Sequence, residues 1–150
     1  MNLTNKVDVR VLSGRQLDAM VAIALGKIVQ VKTTEMIVAD MDPAHDADLI
    51  EHHRQRKTVR LHVMTPKGEY FGTVQPYSSN WSIGGSVFER EISNHEKRAG
   101  YFYCNKFAKT GSRWAPGTAI WAYGDTLLEA AMRVIVMHYL GELVELPEGL

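Results

Sequence analysis

The segment from Pro76 to Glu91 concentrates the side chains best suited to holding a small molecule. Tyr77, Ser78, Asn80 and Trp81 are followed by the pair Gly84-Gly85 and then by Glu89. Phenol and indole rings offer stacking surface with a polar edge, and short hydroxyl and amide groups offer hydrogen bonds. Glycine lets backbone approach a ligand closely. The competing role is structural: Tyr77 and Trp81 would plug the end of a sheet while Ser78 and Asn80 satisfy turn backbone groups. The two roles differ in whether the rings face an open hollow or fill the interior.

Other constellations carry less. Asp40, Asp42, His45, Asp46, Asp48, Glu51, His52 and His53 crowd one polar stretch. If Asp48 to His52 is helical, those two stand one turn apart on one face, a spacing a metal could bridge. Neither the two-histidine, central-glutamate pattern of a zinc protease nor the alternating acids of a calcium loop is present, and acids also gather at helix starts for dipole reasons. The lone Cys104 lies between Tyr103 and Asn105 in an apparent strand, where cysteine usually serves as a small hydrophobe. No Gly-x-Ser-x-Gly elbow or phosphate-binding loop occurs. Glu89 and Glu91 could pair for acid and base work only as i and i+2 neighbours on an extended segment. No catalytic residue, metal ligand or cofactor is therefore assigned.

Composition narrows the classes further. The 150 residues are 45% hydrophobic and 23% charged, an ordinary globular balance. No apolar run approaches the ~18 residues of a membrane span. Seventeen basic side chains balance 17 acidic ones. Direct nucleic-acid binding is thus disfavoured, since that affinity comes from clustered cations, and here they cluster only at Arg54, Arg56, Lys57 and Arg60. A single cysteine and the absence of a secretory signal lead us to expect a cytoplasmic protein.

The elements that must position these residues form an α+β pattern. Val7, Val9 and Val11 alternate as in a half-buried strand. Ser13-Gly14-Arg15-Gln16 matches a capping box opening a helix at Gly14, with Leu17, Met20, Val21, Ala24 and Leu25 on one face and Gly26 as its stop. Lys27 to Val38 reads as one or two short strands, including Ile37-Val38, and Ala47 to Gln55 as a short helix. Thr58 to Met64 and Glu69 to Val74 flank Pro66-Lys67-Gly68 as a hairpin with Val59, Leu61 and Val63 on one face. Pro76 to Glu89 suits an ordered loop, and Ser93 to Gly100 an exposed segment. Tyr101, Tyr103 and Phe107, then Ala119 to Tyr123, look like two strands around a loop containing Gly111 and Pro116. Thr126-Leu127-Leu128-Glu129 is a second capping box, leading a helix with Leu128, Ala131, Met132, Ile135 and Tyr139 on one stripe and Gly141 at its end. Leu143 and Leu146 would fold back onto the core. The expected fold is a small, mainly antiparallel sheet of about five strands, with the opening and closing helices on one face.

Tyr77-Ser78-Ser79-Asn80-Trp81, then Gly84-Gly85-Ser86-Val87-Phe88-Glu89, resembles the Tyr-Ser-x-Asp-Trp and Gly-Gly-Pro-hydrophobic-hydrophobic-Glu signature of the NinX-like proteins of tailed phages and prophages. Ser13 to Asp18 with Val21-Ala22 resembles that family's opening helix. Gly124 to Arg133 and Leu140 to Glu148 resemble its closing helix and tail. Asn80 stands where the family has Asp, and Ser86 where it has Pro, so no acidic role passes to position 80. The stretch from about residue 32 to 74 exceeds that of typical members and adds the hairpin, within one NinX-like domain over residues 1–150. The resemblance implies a phage or prophage context without an attached reaction. It also suggests that the central loop packs against both helices beside a pocket, and that Arg133 pairs with Glu89 as a buried bridge.

These readings converge on a phage or prophage accessory protein, nonenzymatic rather than catalytic. It would hold a small, nucleotide-like ligand through Tyr77, Ser78, Asn80, Trp81, Gly84, Gly85 and Glu89. The alternative is a protein-interaction module that contacts a host protein through Asp40 to Lys57 and the hairpin; a metal-dependent enzyme is the remaining class. No membrane partner is expected.

Overall fold

A computed structural model describes residues 5–96, 101–104, 110–115 and 118–150. In chain order it comprises β1 (Lys6–Asp8), a 3-10 turn (Val9–Val11), α1 (Gly14–Ala24), β2 (Ile28–Lys32), α2 (Thr34–Ala39), α3 (Ala47–Arg56), β3 (Arg60–Met64) and β4 (Tyr70–Thr73). A π-helical turn (Trp81–Gly85) then leads into α4 (Ser86–Glu96), followed by β5 (Tyr101–Cys104), β6 (Thr110–Ala115), β7 (Thr118–Ala122), α5 (Leu127–Leu140) and β8 (Leu143–Glu145). Their contacts gather into two units, Met1–Lys27 with Gln75–Leu146, and Ile28–Val74 with Pro147–Leu150.

In the first unit, α1 packs against α5. Leu17, Val21, Leu128, Met132 and Ile135 are fully buried there, each worth about 1.5–3 kcal/mol of apolar burial. α5 also buries Ala130, Val134, Val136 and Met137, so it is apolar nearly all round, the mark of a central helix. One half of the expected box forms at its start, where Thr126 Oγ1 accepts from the Glu129 N–H at 3.1 Å, while Glu129 Oε1 reaches past Thr126 to accept from the Asp125 N–H at 3.0 Å. The expected box at Ser13 does not form, because the Ser13 side chain makes no capping hydrogen bond. α1 ends as expected, with Gly26 at φ +86° and the Lys27 N–H donating to Ala22 O while the Gly26 N–H donates to Ile23 O.

β1 is shorter than the valine alternation suggests, because the chain turns at Val9 into the 3-10 segment, burying Val9 and exposing Val11. β1 pairs antiparallel with β8, Val7 opposite Val144. Val144 is the buried tail residue and Leu143 is exposed, since successive strand residues face opposite ways. β5, β6 and β7 form a three-stranded antiparallel meander. β6 occupies part of what reads from sequence as a loop between two strands; Phe107 and Pro116 lie outside the described residues.

The second unit holds the antiparallel sheet β2-β3-β4, with Val31 opposite Leu61 and Val29 opposite Val63. Leu61 and Val63 are buried together with Ile37, Val38 and Ile50 from α2 and α3. Ile37-Val38 is therefore helical, not a strand: burial on one helix face overrides the β preference of branched residues. The hairpin turns at Gly68, φ +82°, with the Gly68 N–H on Thr65 O at 2.9 Å. His53 is buried, its Nδ1 3.0 Å from Thr58 Oγ1.

The class is α+β with antiparallel pairing throughout. Among the described residues the strands differ from the expectation of one sheet in being shared among three small ones, because β2 to β4 pair only among themselves, as do β5 to β7.

Candidate functional site

The segment before α4 is built by local hydrogen bonds. After Pro76 the chain turns, with the Asn80 N–H on Pro76 O at 3.0 Å, and Asn80 Oδ1 accepts from the Ser82 N–H at 2.9 Å. That cap launches the π-helical turn instead of the loop expected from the Ser, Asn and Gly content, and α4 continues directly from it. The two glycines are demanded by packing. A Cβ on Gly84 would collide with Tyr77 O and lie 2.9 Å from Leu128 Cδ1, while one on Gly85 would lie 2.8 Å from Trp81 Cε3. The Trp81 indole therefore lies against Gly85.

The two rings part company. Tyr77 is 3% exposed and belongs to the interior, whereas Trp81 is 54% exposed. Burial raises the Tyr77 hydroxyl pKa, opposed by the positive charge of Arg90 and reinforced by Asp18. Ser78 is buried, and its backbone N–H donates to Asp18 Oδ1 at 2.7 Å. Burial pushes the Asp18 carboxyl upward, while hydrogen bonds from the side chain and backbone of Ser78 pull it back down.

Trp81 borders a cleft of 330 Å³ whose wall includes Gly14, Ser78, Ser79, Thr126 and Glu129. The starts of α1 and α5 thus meet the Trp81 segment. They differ in readiness for a ligand. At α5 Thr126 engages the first-turn Glu129 N–H, and the Glu129 carboxylate, which accepts from the Asp125 N–H, also pairs with Arg133 at 3.1 Å. At α1 the Ser13 side chain makes no capping hydrogen bond.

Of the residues singled out from sequence, Ser78 and Trp81 line the cleft. Asn80 braces the turn, Gly84 and Gly85 form its tightly packed backing, and Tyr77 is interior. Glu89 is an exposed residue of α4 outside the cleft lining. Arg133 finds its carboxylate in Glu129, not Glu89, because i and i+4 positions on α5 lie one turn apart. It also donates to Leu12 O at 2.9 Å and Tyr123 O at 2.6 Å. Sequence reasoning missed Asp18, Ser79 and Glu129. The signal for Asp18 was an acid between Leu17 and Ala19-Met20 on an apolar helix face, which demands a buried partner. Among the described residues no three His, Cys, Asp or Glu side chains converge as a metal site would require.

Comparison with protein families matches residues 8–139 to the family described as Bacteriophage P22, NinX. The chain belongs to that NinX family. The matched span runs from Asp8 at the end of β1 to Tyr139 in α5 and takes in the whole Trp81 cleft. NinX membership supports a phage accessory protein. No curated protein matches the chain. Among the described residues no helix is long and apolar enough to cross a membrane.

Proposed function

We propose that this NinX-family protein binds a small planar ligand of nucleotide-like chemistry in the Trp81 cleft, without turning it over. The observation that carries the reading is the contrast between Tyr77, enclosed, and Trp81, whose indole stands half open beside a concave wall. An indole backed by Gly85 offers a base or similar ring a stacking face. Ser79 brings an exposed hydroxyl to the wall, and the first turn of α1, left uncapped by the Ser13 side chain, favours an anionic substituent. The volume of 330 Å³ suits one nucleoside-sized molecule. Binding is favoured over turnover because the carboxylate on the wall, Glu129, is already committed to Arg133.

Thermal melts of the full chain with a panel of nucleobases, nucleosides and nucleotides test this, since a ligand that binds only the folded state stabilises it by about 2.7 kcal/mol at a hundredfold excess over Kd. The expected result is a raised Tm with at least one compound and loss of that rise in Trp81→Ala. A flat panel at millimolar concentration would refute the reading.

A second reading, contact with a host protein through Asp40 to Lys57 and the hairpin, is supported by Phe71, 72% exposed at the irregularity in the β3–β4 pairing, and by exposed Leu49 on α3. A stoichiometric host partner captured by the wild type, lost with Phe71→Ser and Leu49→Ser and kept with Trp81→Ala, would favour it.

A further inference from the structure

The β2-β3-β4 sheet of the second unit has one face in the core and one face open. Along β3, Leu61 and Val63 are buried, so Arg60, His62 and Met64 alternate onto the other side. Register continues that side across the sheet: Lys32 of β2 stands opposite Arg60, while Thr73 and Tyr70 of β4 stand opposite His62 and Met64. Tyr70 is 59% exposed and its ring is braced by His62, the centroids 4.7 Å apart at 63°. Phe71 falls opposite no residue of β3, at the register shift, and is more exposed still. Irregularities of this kind re-aim a side chain. Two large rings thus stand in solvent at successive positions of an ordered strand.

The ionised groups at these strand positions have one sign. Burial first, then the positive charges of Lys32 and Arg60, lower the His62 pKa. Lys32 lies 3.6 Å from the exposed Asp40 in a loose pair. Arg60, and Lys57 just ahead of it in the chain, are exposed, and among the described residues neither makes an ion pair. The neutral total of the chain therefore conceals a local gathering of cations that the pairing of β2 with β3 completes. A protein partner could cover the rings but would bring no fixed counter-charge to Arg60 and Lys57, whereas a phosphate chain supplies one at every nucleotide. Unpaired bases stack on aromatic side chains whatever their sequence, and a duplex presents no free base face. We infer that the open face of the β2-β3-β4 sheet binds a single-stranded nucleic acid, with bases stacked on Tyr70 and Phe71 and phosphates on Arg60 and Lys57.

Fluorescence anisotropy of the full chain with labelled single strands of about 12 nucleotides, oligothymidylate and oligouridylate, tests it against duplex DNA of the same length. The expected result is binding of at least one single strand, the tighter of the two naming the sugar, with affinity falling about 7-fold as salt rises from roughly 50 to 200 mM and with the duplex at least ~10-fold weaker. The Tyr70→Ala, Phe71→Ala double variant, which removes only exposed rings, weakens that binding at least ~10-fold, and Arg60→Ala flattens its salt dependence. Trp81→Ala leaves it unchanged, so failure here is distinguishable from failure of the nucleotide-like cleft, whose lining includes none of these residues. No binding of either strand at low salt and sub-millimolar protein, duplex bound as tightly as the better strand, wild-type affinity in the aromatic double variant, or loss of binding in Trp81→Ala would each overturn the proposal.

Discussion

Two helices of the first unit, α1 and α5, begin with nearly the same sequence device and use it differently. At the start of α5 Thr126 accepts from the Glu129 N–H and the Glu129 carboxylate accepts from the Asp125 N–H, and Glu129 is tied further to Arg133. Ser13 and Gln16 have the same spacing at α1, yet the Ser13 side chain caps nothing, and Gly14 sits at φ +53°. One helix start is capped by its own threonine; at the other, on the edge of the Trp81 cleft, the corresponding Ser13 side chain makes no cap. A capping motif fixes where a helix begins, while the approach of the preceding chain decides whether the cap closes.

Substitutions can break this contrast. The largest effect is expected from Glu129→Ala, which removes the acceptor of the Asp125 N–H and the carboxylate partner of Arg133, whose side chain is 12% exposed; unfolding in urea should show a loss of about 3 kcal/mol. Thr126→Ala should cost about 1 kcal/mol by the same measurement. Asp18, one turn into α1, gives a pH test. Its carboxyl pKa is raised above 3.8 by burial, so the folded state holds the proton more tightly than the unfolded chain, and the stability this contributes is lost as pH rises through the folded value. Relative to wild type, Asp18→Asn should therefore become progressively more stable as pH rises from 3.8 through that window, in melts compared at each pH. Ser13→Ala should be smallest, within about 0.5 kcal/mol, because no bond is lost. A cost equal to that of Thr126→Ala would erase the distinction between the two helix starts.

Legibility followed the range of the interactions. α1, α3, α5 and the β3–β4 hairpin were readable because their apolar spacing and turn residues are local signals. Ile37-Val38 misled because burial, not β-branching, decides that stretch. α4 was hidden behind Gly84-Gly85, poor helix formers that are required here by Tyr77 O and the Trp81 ring, neighbours a linear reading cannot place. At the site, Ser78 and Trp81 were legible by residue type. The Asp18 to Ser78 bond crosses 60 positions of sequence, and the meeting of both helix starts with Trp81 depends on how α1 and α5 pack.

The π-helical turn carries one more implication. A wide turn is an ordinary helical turn with one residue too many, and it acts as a phase shifter between Trp81 and α4. Deleting one residue from it would let the turn relax to α geometry and swing everything upstream by about 100° around the helix axis. The indole would then be carried away from Gly85 and the cleft while α4 kept its own register, so a single extra residue sets the bearing of the ring.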